Sequence, residues 1–367
     1  MPFRSARLSL AVVFALASFD APAAAPPALL PTAVGPTLQS IGPLAFGPDG
    51  VLFAADTQAA AILALDITDV SKGGAPGTKA VASLDQKIAA LLGTDTAGIA
   101  VTDLAVHPKT RQTYVSLMRG QGADAAPALV RIDGAGELAL VPLAEAKYTK
   151  AELPNAPVAN PGDRRNPRPQ SVTDMAFVDG RLIVAGLSNE EFASKLRSVA
   201  YPFKAVEPGT SVEIYHGNHG QLETRSPVFA FTSYKIGSTP HLIAGYLCTP
   251  LVKFPIAALT SSQKVTGTTI AELGNRNRPI DMVVYTKDGA DYLLMSNTAR
   301  GVMKIPTAGF ERAEGITSRV AAETAGVPFE SLASFSGVEQ LDLLDKGTLV
   351  LLRNRDGARA LETVAVP

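Results

Sequence analysis

Apolar positions along this chain fall into short runs of strand length that come in pairs across a turn. Residues 41–56 read IGPLAFGPDGVLFAAD, 101–118 read VTDLAVHPKTRQTYVSLM, and 172–187 read VTDMAFVDGRLIVAGL. The pattern returns at 279–297, PIDMVVYTKDGADYLLMSN, and at 338–353, VEQLDLLDKGTLVLLR. Between the paired runs stand Pro-Asp-Gly, Pro-Lys-Thr, Asp-Gly or Asp-Lys-Gly, the chemistry of a tight reversal, so each copy is predicted to be a β-hairpin. The copies recur roughly every 60 residues except across 172–279, where the interval is about double. A hidden copy is predicted there at 226–256, with VFAFTSY and HLIAGYL as the pair and LVKFPI as a third strand.

Six such units are longer than the ~40 to 50 residues of many bladed repeats, which points to long connecting loops. Arranged radially, they predict an all-β fold: a single six-bladed β-propeller over 41–367. Seven blades is the alternative, because the stretch 120–170 has room for a further small sheet. The last unit runs out of chain after three strands. The segment 24–40, in particular residues 28–39, is therefore predicted to pair onto the last blade and close the ring. Residues 86–92 and 190–201 carry weak helical patterns, and 155–170, rich in proline and lacking an apolar period, predicts an exposed loop.

Charge removes one class of function. Of 367 residues, 33 are Lys or Arg and 34 are Asp or Glu, a formal net charge of −1 that gives no field for holding a nucleic acid. With 46% hydrophobic residues the chain has ample material for a core, and 31 Gly and 27 Pro punctuate it. Arg4 and Arg7 ahead of an apolar run ending at Ala17, followed by Ala21-Pro22-Ala23, have the form of a signal peptide over residues 1–23. The expected location is periplasmic or extracellular, with no membrane span after the leader is removed. Cys248 is the single cysteine, so no disulfide forms within the chain, and its apolar neighbours suggest a small buried side chain.

Radial symmetry turns the repeat into a spatial argument. If the first run of each hairpin is innermost, its early residues ring one mouth of the central channel. That column reads Pro43, Asp103, Asp174, Asp281 and Gln340, with Pro227 as the match in the fourth blade. Carboxylates at one register are suited to Ca²⁺ or another divalent cation, with Asp103, Asp174 and Asp281 as ligands. They are equally suited to accepting amide hydrogen bonds from a turn or a neighbouring blade, or to touching a ligand directly. Arg276, Arg278, Arg300 and Arg353, together with Arg164, Arg165, Arg168 and Arg355, belong to loops expected on the same face, where guanidinium groups would capture an anion or form surface ion pairs. His216 and His219 have an i, i+3 spacing seen in some metal sites, which His241 and Cys248 would complete; the glycines around them suggest an exposed hairpin tip instead. His107, in an HPKT turn, is expected to face solvent. No nucleophile elbow, zinc-protease helix, phosphate loop or haem-attachment motif is present.

The segments IGPLAFGPDGVLFAADTQAAAILALDI and RPIDMVVYTKDGADYLLMSNTARGVMKI resemble blades of the secreted NHL and gluconolactonase-like propellers. That resemblance implies a metal-dependent lactonase site with a Glu in E-G-P and an Asn in R-P-N-D. The corresponding stretches here are Ile41-Gly42-Pro43 and Arg278-Pro279-Ile280-Asp281, so isoleucine stands at both ligand positions and Asp281 remains. Two functional readings follow. The first is a non-catalytic propeller, with no cofactor, that binds a small anionic ligand or an extracytoplasmic protein at its Arg- and Asp-rich mouth. The alternative is a metal-dependent hydrolase, lactonase or oxidoreductase using the mouth carboxylates.

Overall fold

The computed structural model describes Met1 and residues 33–367 apart from Thr249. The leader assigned to residues 1–23 lies outside the described residues, and among those described no helix is long and apolar enough to cross a membrane. Six sheets stand in a ring, antiparallel except where Lys264–Thr266 adds in parallel to Thr210–His216 of the third blade, and each begins with one of the six predicted hairpins. Their innermost strands are Leu44–Phe46, Ile99–Val106, Asp174–Val178, Ala230–Ile236, Pro279–Lys287 and Val338–Asp345. The second strand of each sheet is covered on both faces by neighbouring blades. Leu52–Asp56 and Arg181–Leu187 are therefore near-continuous apolar runs instead of alternating ones.

The blades are not arranged around the ring in chain order. Inner strands of the first and second blades pack together, but the second blade's other neighbour is the sixth, and the first blade's other neighbour is the third. The ring therefore runs second, first, third, fourth, fifth, sixth. The hydrophobic clusters agree: one joins Leu52, Leu63 and Tyr114 of the first two blades, another joins Phe53 and Val184 of the first and third, and a third joins Val115 and Leu352 of the second and sixth. The stretch 120–170 holds no seventh blade. It supplies Ala126–Ile132 and Leu138–Leu140 to the second blade, then sends Lys147–Glu152 back as the outer strand of the first.

Closure also differs from the expectation. Ala33–Val34 pair with Tyr148 and Lys147 on the outer edge of the first blade, not with the last blade, because Lys147–Glu152 presents the free edge there; residues 28–32 lie outside the described residues. The three-stranded last blade instead meets Val81, whose amide and carbonyl exchange hydrogen bonds with Leu361 at 2.8 and 2.9 Å. Beside it the helix Leu84–Leu92 packs Leu84 and Ile88 into the seam between the second and sixth blades. Residues 190–201 do not form a helix: Ser194–Ala200 is the third strand of the third blade. Its Lys195 is buried against Glu190 and Ser211, a local ion pair that lets a charged residue sit inside a strand.

Candidate functional site

Three of the six innermost strands carry a β-bulge at one level, between Val101 and Asp103, Pro279 and Asp281, and Val338 and Gln340. A bulge re-aims the following side chain, and here it turns Asp103, Asp281 and Gln340 into the channel. Around the ring the column reads Pro43, Asp103, Gln340, Asp281, Ala230, Asp174. The fourth blade contributes Ala230, not Pro227, because its hairpin register sets Ala230 opposite Gly245.

Each carboxylate bridges to the next blade in the same rotational sense. Asp103 Oδ2 accepts from the Leu44 amide at 2.6 Å, Asp174 Oδ2 from Phe231 at 2.6 Å, and Asp281 Oδ2 from Leu341 at 3.0 Å. Asp342, which lies outside the column drawn from the sequence, stands two residues deeper on the inner strand and takes the Val106 amide at 2.7 Å. The Oδ1 atoms of Asp174, Asp281 and Asp342 accept from the amides of Met175, Met282 and Leu343. Asp342 carries a signal in the linear chain all the same: each of the four acids precedes Leu or Met at the start of an apolar run. With its amide nitrogen turned toward the carboxyls, Gln340 donates to Asp103 Oδ1 at 3.3 Å and Asp281 Oδ2 at 3.0 Å. It ties together the blades on either side of the sixth.

Burial dominates the electrostatics of this ring. It pushes Asp103 and Asp174 well above the usual carboxylate range, assisted in each by the charge of Asp281. Burial lifts Asp281 to about 7 and Asp342 to about 6, against the pull of the amides they accept from. These groups act as protonatable latches whose acceptor atoms are largely taken by backbone amides. Asp103, Asp174 and Asp281 are not among the groups of described residues whose ligand atoms converge closely enough to share one ion.

Gln340 forms the floor of an open cavity of about 720 Å³ at the mouth, and a narrower space of about 260 Å³ lined by the four carboxyls lies beyond it. The rim is fixed by buried Asp56, which accepts from the amides of Gln39, Ser40 and Ala59 and from the Ser40 hydroxyl. Arg168 donates to the carbonyls of Gln58 and Pro157, holding the 155–170 loop against that rim. Arg278 lines the cavity with its guanidinium 5.3 Å from the Phe229 ring, and it pairs with no carboxylate among the described residues. Gln58 and Gln170 line the same space, and neither carboxamide has a hydrogen-bond partner among the described residues.

The remaining arginines are placed elsewhere. Arg353 is buried inside the last blade against Glu362 and the Ser334 carbonyl, and Arg355 shares Glu362 at the surface. Arg300 pairs with Glu323, while Arg276, Arg164 and Arg165 are exposed. His107 is buried: its Nδ1 accepts from the amides of Lys109 and Thr110, and its ring packs against Phe46 of the first blade. Cys248 is half-buried in a turn with φ 58°. His216 and His219 do come together, joined not by His241 and Cys248 but by glutamates that nothing in the linear pattern marks out.

No protein-family model matches the chain, and no curated protein matches it in sequence. Solved structures of related shape include a putative glucose dehydrogenase from Thermus thermophilus, at 13% identity and TM-score 0.31 over 90% of this chain and 98% of that one. A second is the PQQ-bound aldose sugar dehydrogenase of Streptomyces coelicolor, at 14% identity and TM-score 0.30 over 93% and 100%. A streptogramin B lyase gives 9% identity and TM-score 0.32 over 90% and 96%. At these values the likeness carries no argument about activity, and the propeller assignment rests on the sheet topology itself.

Proposed function

We propose that the mouth cavity binds a small polar ligand bearing a carboxylate or similar anion, which this protein meets outside the cytoplasm. The observation that carries this reading is the unpaired Arg278 guanidinium laid over Phe229 on the cavity wall. A guanidinium already braced by an aromatic ring loses little freedom on binding, and it presents a fork that matches a carboxylate. Gln58 and Gln170 supply neutral donors and acceptors for the rest of the ligand, and the cavity lies within the ~300 to 1,000 Å³ range of small-molecule sites. Neither a nucleophile and its base nor a metal is needed for this reading. A panel of small hydroxy and sugar acids, screened by calorimetry, tests it. Arg278→Ala should weaken the best ligand by at least about tenfold, the worth of one charge-assisted hydrogen bond. An Arg278→Ala variant that binds every such ligand as well as the parent chain would remove the proposal.

One observation favours a second reading, in which the same mouth is an active site. Asp281 holds a proton to about 7 directly beneath Gln340, the value expected of a group that exchanges protons at neutral pH. In that case the bound ligand would turn over, and Asp281→Asn would stop turnover while leaving binding intact.

A further inference from the structure

We infer that His216, His219 and Glu223 form a binding site for a divalent transition ion of the zinc type at the outer rim of the ring, with Glu272 orienting His216. This site is separate from the mouth. His216 ends Thr210–His216, the fourth strand of the third blade, and Glu223 lies on the short strand Gln221–Glu223 that turns back beside it. Glu272 comes from Thr268–Leu273, the fourth strand of the fourth blade.

One ligand atom from each of His216, His219 and Glu223 falls within 4.8 Å of the others. His219 Nδ1 is 2.6 Å from Glu223 Oε1, His216 Nδ1 is 3.1 Å from Glu223 Oε2, and the two imidazole rings are 3.8 Å apart. Donors around a tetrahedral ion with bonds of about 2.0 to 2.2 Å stand about 3.3 to 3.6 Å apart, so widening the two Glu223 contacts by less than about 1 Å gathers all three. Two imidazoles and a carboxylate favour zinc and its neighbours over Ca²⁺, which prefers an all-oxygen cage.

An independent observation points to a ligand. The His216 side chain is 1% exposed, yet its Nε2 has no hydrogen-bond partner and its Nδ1 meets only Glu223 Oε2, at 3.1 Å and without hydrogen-bond alignment; Glu272 Oε2, on a side chain 0% exposed, has no hydrogen-bond partner either. Buried polar atoms left in this state are costly, and native proteins rarely tolerate them together. An ion at Nδ1 satisfies one side of the ring. Its Nε2 then carries the proton and faces Glu272 Oε2, 3.7 Å away, which gives the carboxylate, histidine and metal relay common at such sites. Glu272 is itself held, because its Oε1 accepts from the Gly217 amide at 2.6 Å.

The surrounding chain is shaped to this cluster. Gly217 is required by close approach: a Cβ there would lie 2.7 Å from Val320 and 3.1 Å from Glu272 Oε1. The Val320 amide donates to the Gly217 carbonyl, so the strand-to-strand crossing near 320 covers the turn while His219, 47% exposed, leaves one side open. Three protein donors and an open side leave a coordination position for water.

The test uses the full chain, stripped with chelator and titrated calorimetrically with Zn²⁺ and, separately, Ca²⁺. One equivalent of Zn²⁺ should bind, with Ca²⁺ at least about tenfold weaker. His219→Ala and Glu223→Gln alter partly exposed side chains, so these variants should fold, as circular dichroism would verify. Each should lose about tenfold or more in Zn²⁺ affinity, and Glu272→Gln should lose about 10- to 100-fold, the usual effect of removing an orienting partner. His241→Ala should bind as the parent does. Cu²⁺ loaded into the same protein should show two coupled nitrogens by electron paramagnetic resonance, and one in His219→Ala. Substoichiometric Zn²⁺, equal affinity for Ca²⁺, or unchanged binding in both His219→Ala and Glu223→Gln would overturn the site.

Discussion

Asp281 illustrates how much one buried carboxyl contributes to this molecule. In an unfolded chain an aspartate releases its proton near pH 3.9, whereas burial holds Asp281 to about 7. Between those values the unfolded state ionises and the folded state does not. Its contribution to stability is therefore present below about pH 4, lost as pH rises, and fully lost above about pH 7. Asp342, raised to about 6, acts in the same sense over a shorter window. His107, lowered by burial, acts oppositely, so the clean observable is a difference between variants. Relative to the parent chain, Asp281→Asn should gain urea resistance between pH 5 and pH 8; an offset that does not change with pH would contradict the burial argument. Asp174→Ala is a simpler case: it strands the amides of Phe231 and Met175 and should cost about 1 to 3 kcal/mol in denaturation experiments. The residue types and their register are readable in the linear chain. Their partners are not, because the Leu44, Phe231 and Leu341 amides arrive from other blades.

Among the elements, the helix Leu84–Leu92 does what the amino-terminal segment was expected to do. It lies between the second and sixth blades, and Ile88 reaches a cluster holding Val115, Val130, Val350 and Leu352. Ile88→Ala should therefore cost about 2 to 5 kcal/mol in urea denaturation, more than a surface helix residue would. A loss below about 1 kcal/mol would mean that the seam does not depend on the helix. Its apolar spacing is visible in sequence as a short helical pattern, but nothing local marks it as a seal. The strand Ser194–Ala200 shows the opposite error. Its Lys195 and Arg197 suppress the alternation that identifies a strand, although both are buried, Lys195 through its pairing with Glu190 and Ser211.

Around the ring as a whole, the order of the blades is the decisive feature. Because the sixth blade sits against the second, loosening that seam should act on two distant stretches of chain at once. In Ile88→Ala, amide hydrogen exchange should rise in both Thr113–Arg119 and Thr348–Arg355 while Thr239–Gly245, across the ring, stays protected. Acceleration of the first alone would argue for blades arranged in chain order. Six hairpins, the turn chemistry between them and the register that brings Asp103, Asp174, Asp281 and Gln340 to one level all follow from the linear chain, since alternation and turn residues are local properties. Long-range packing alone sets the rest: the ring skips from the second blade back past the first, Arg278 alone of the eight candidate arginines lines the mouth cavity with its guanidinium free, and Glu223 and Glu272 join the two histidines. Those outcomes depend on which apolar faces cover one another and which carboxylates end beside them, contacts made between residues far apart in the chain.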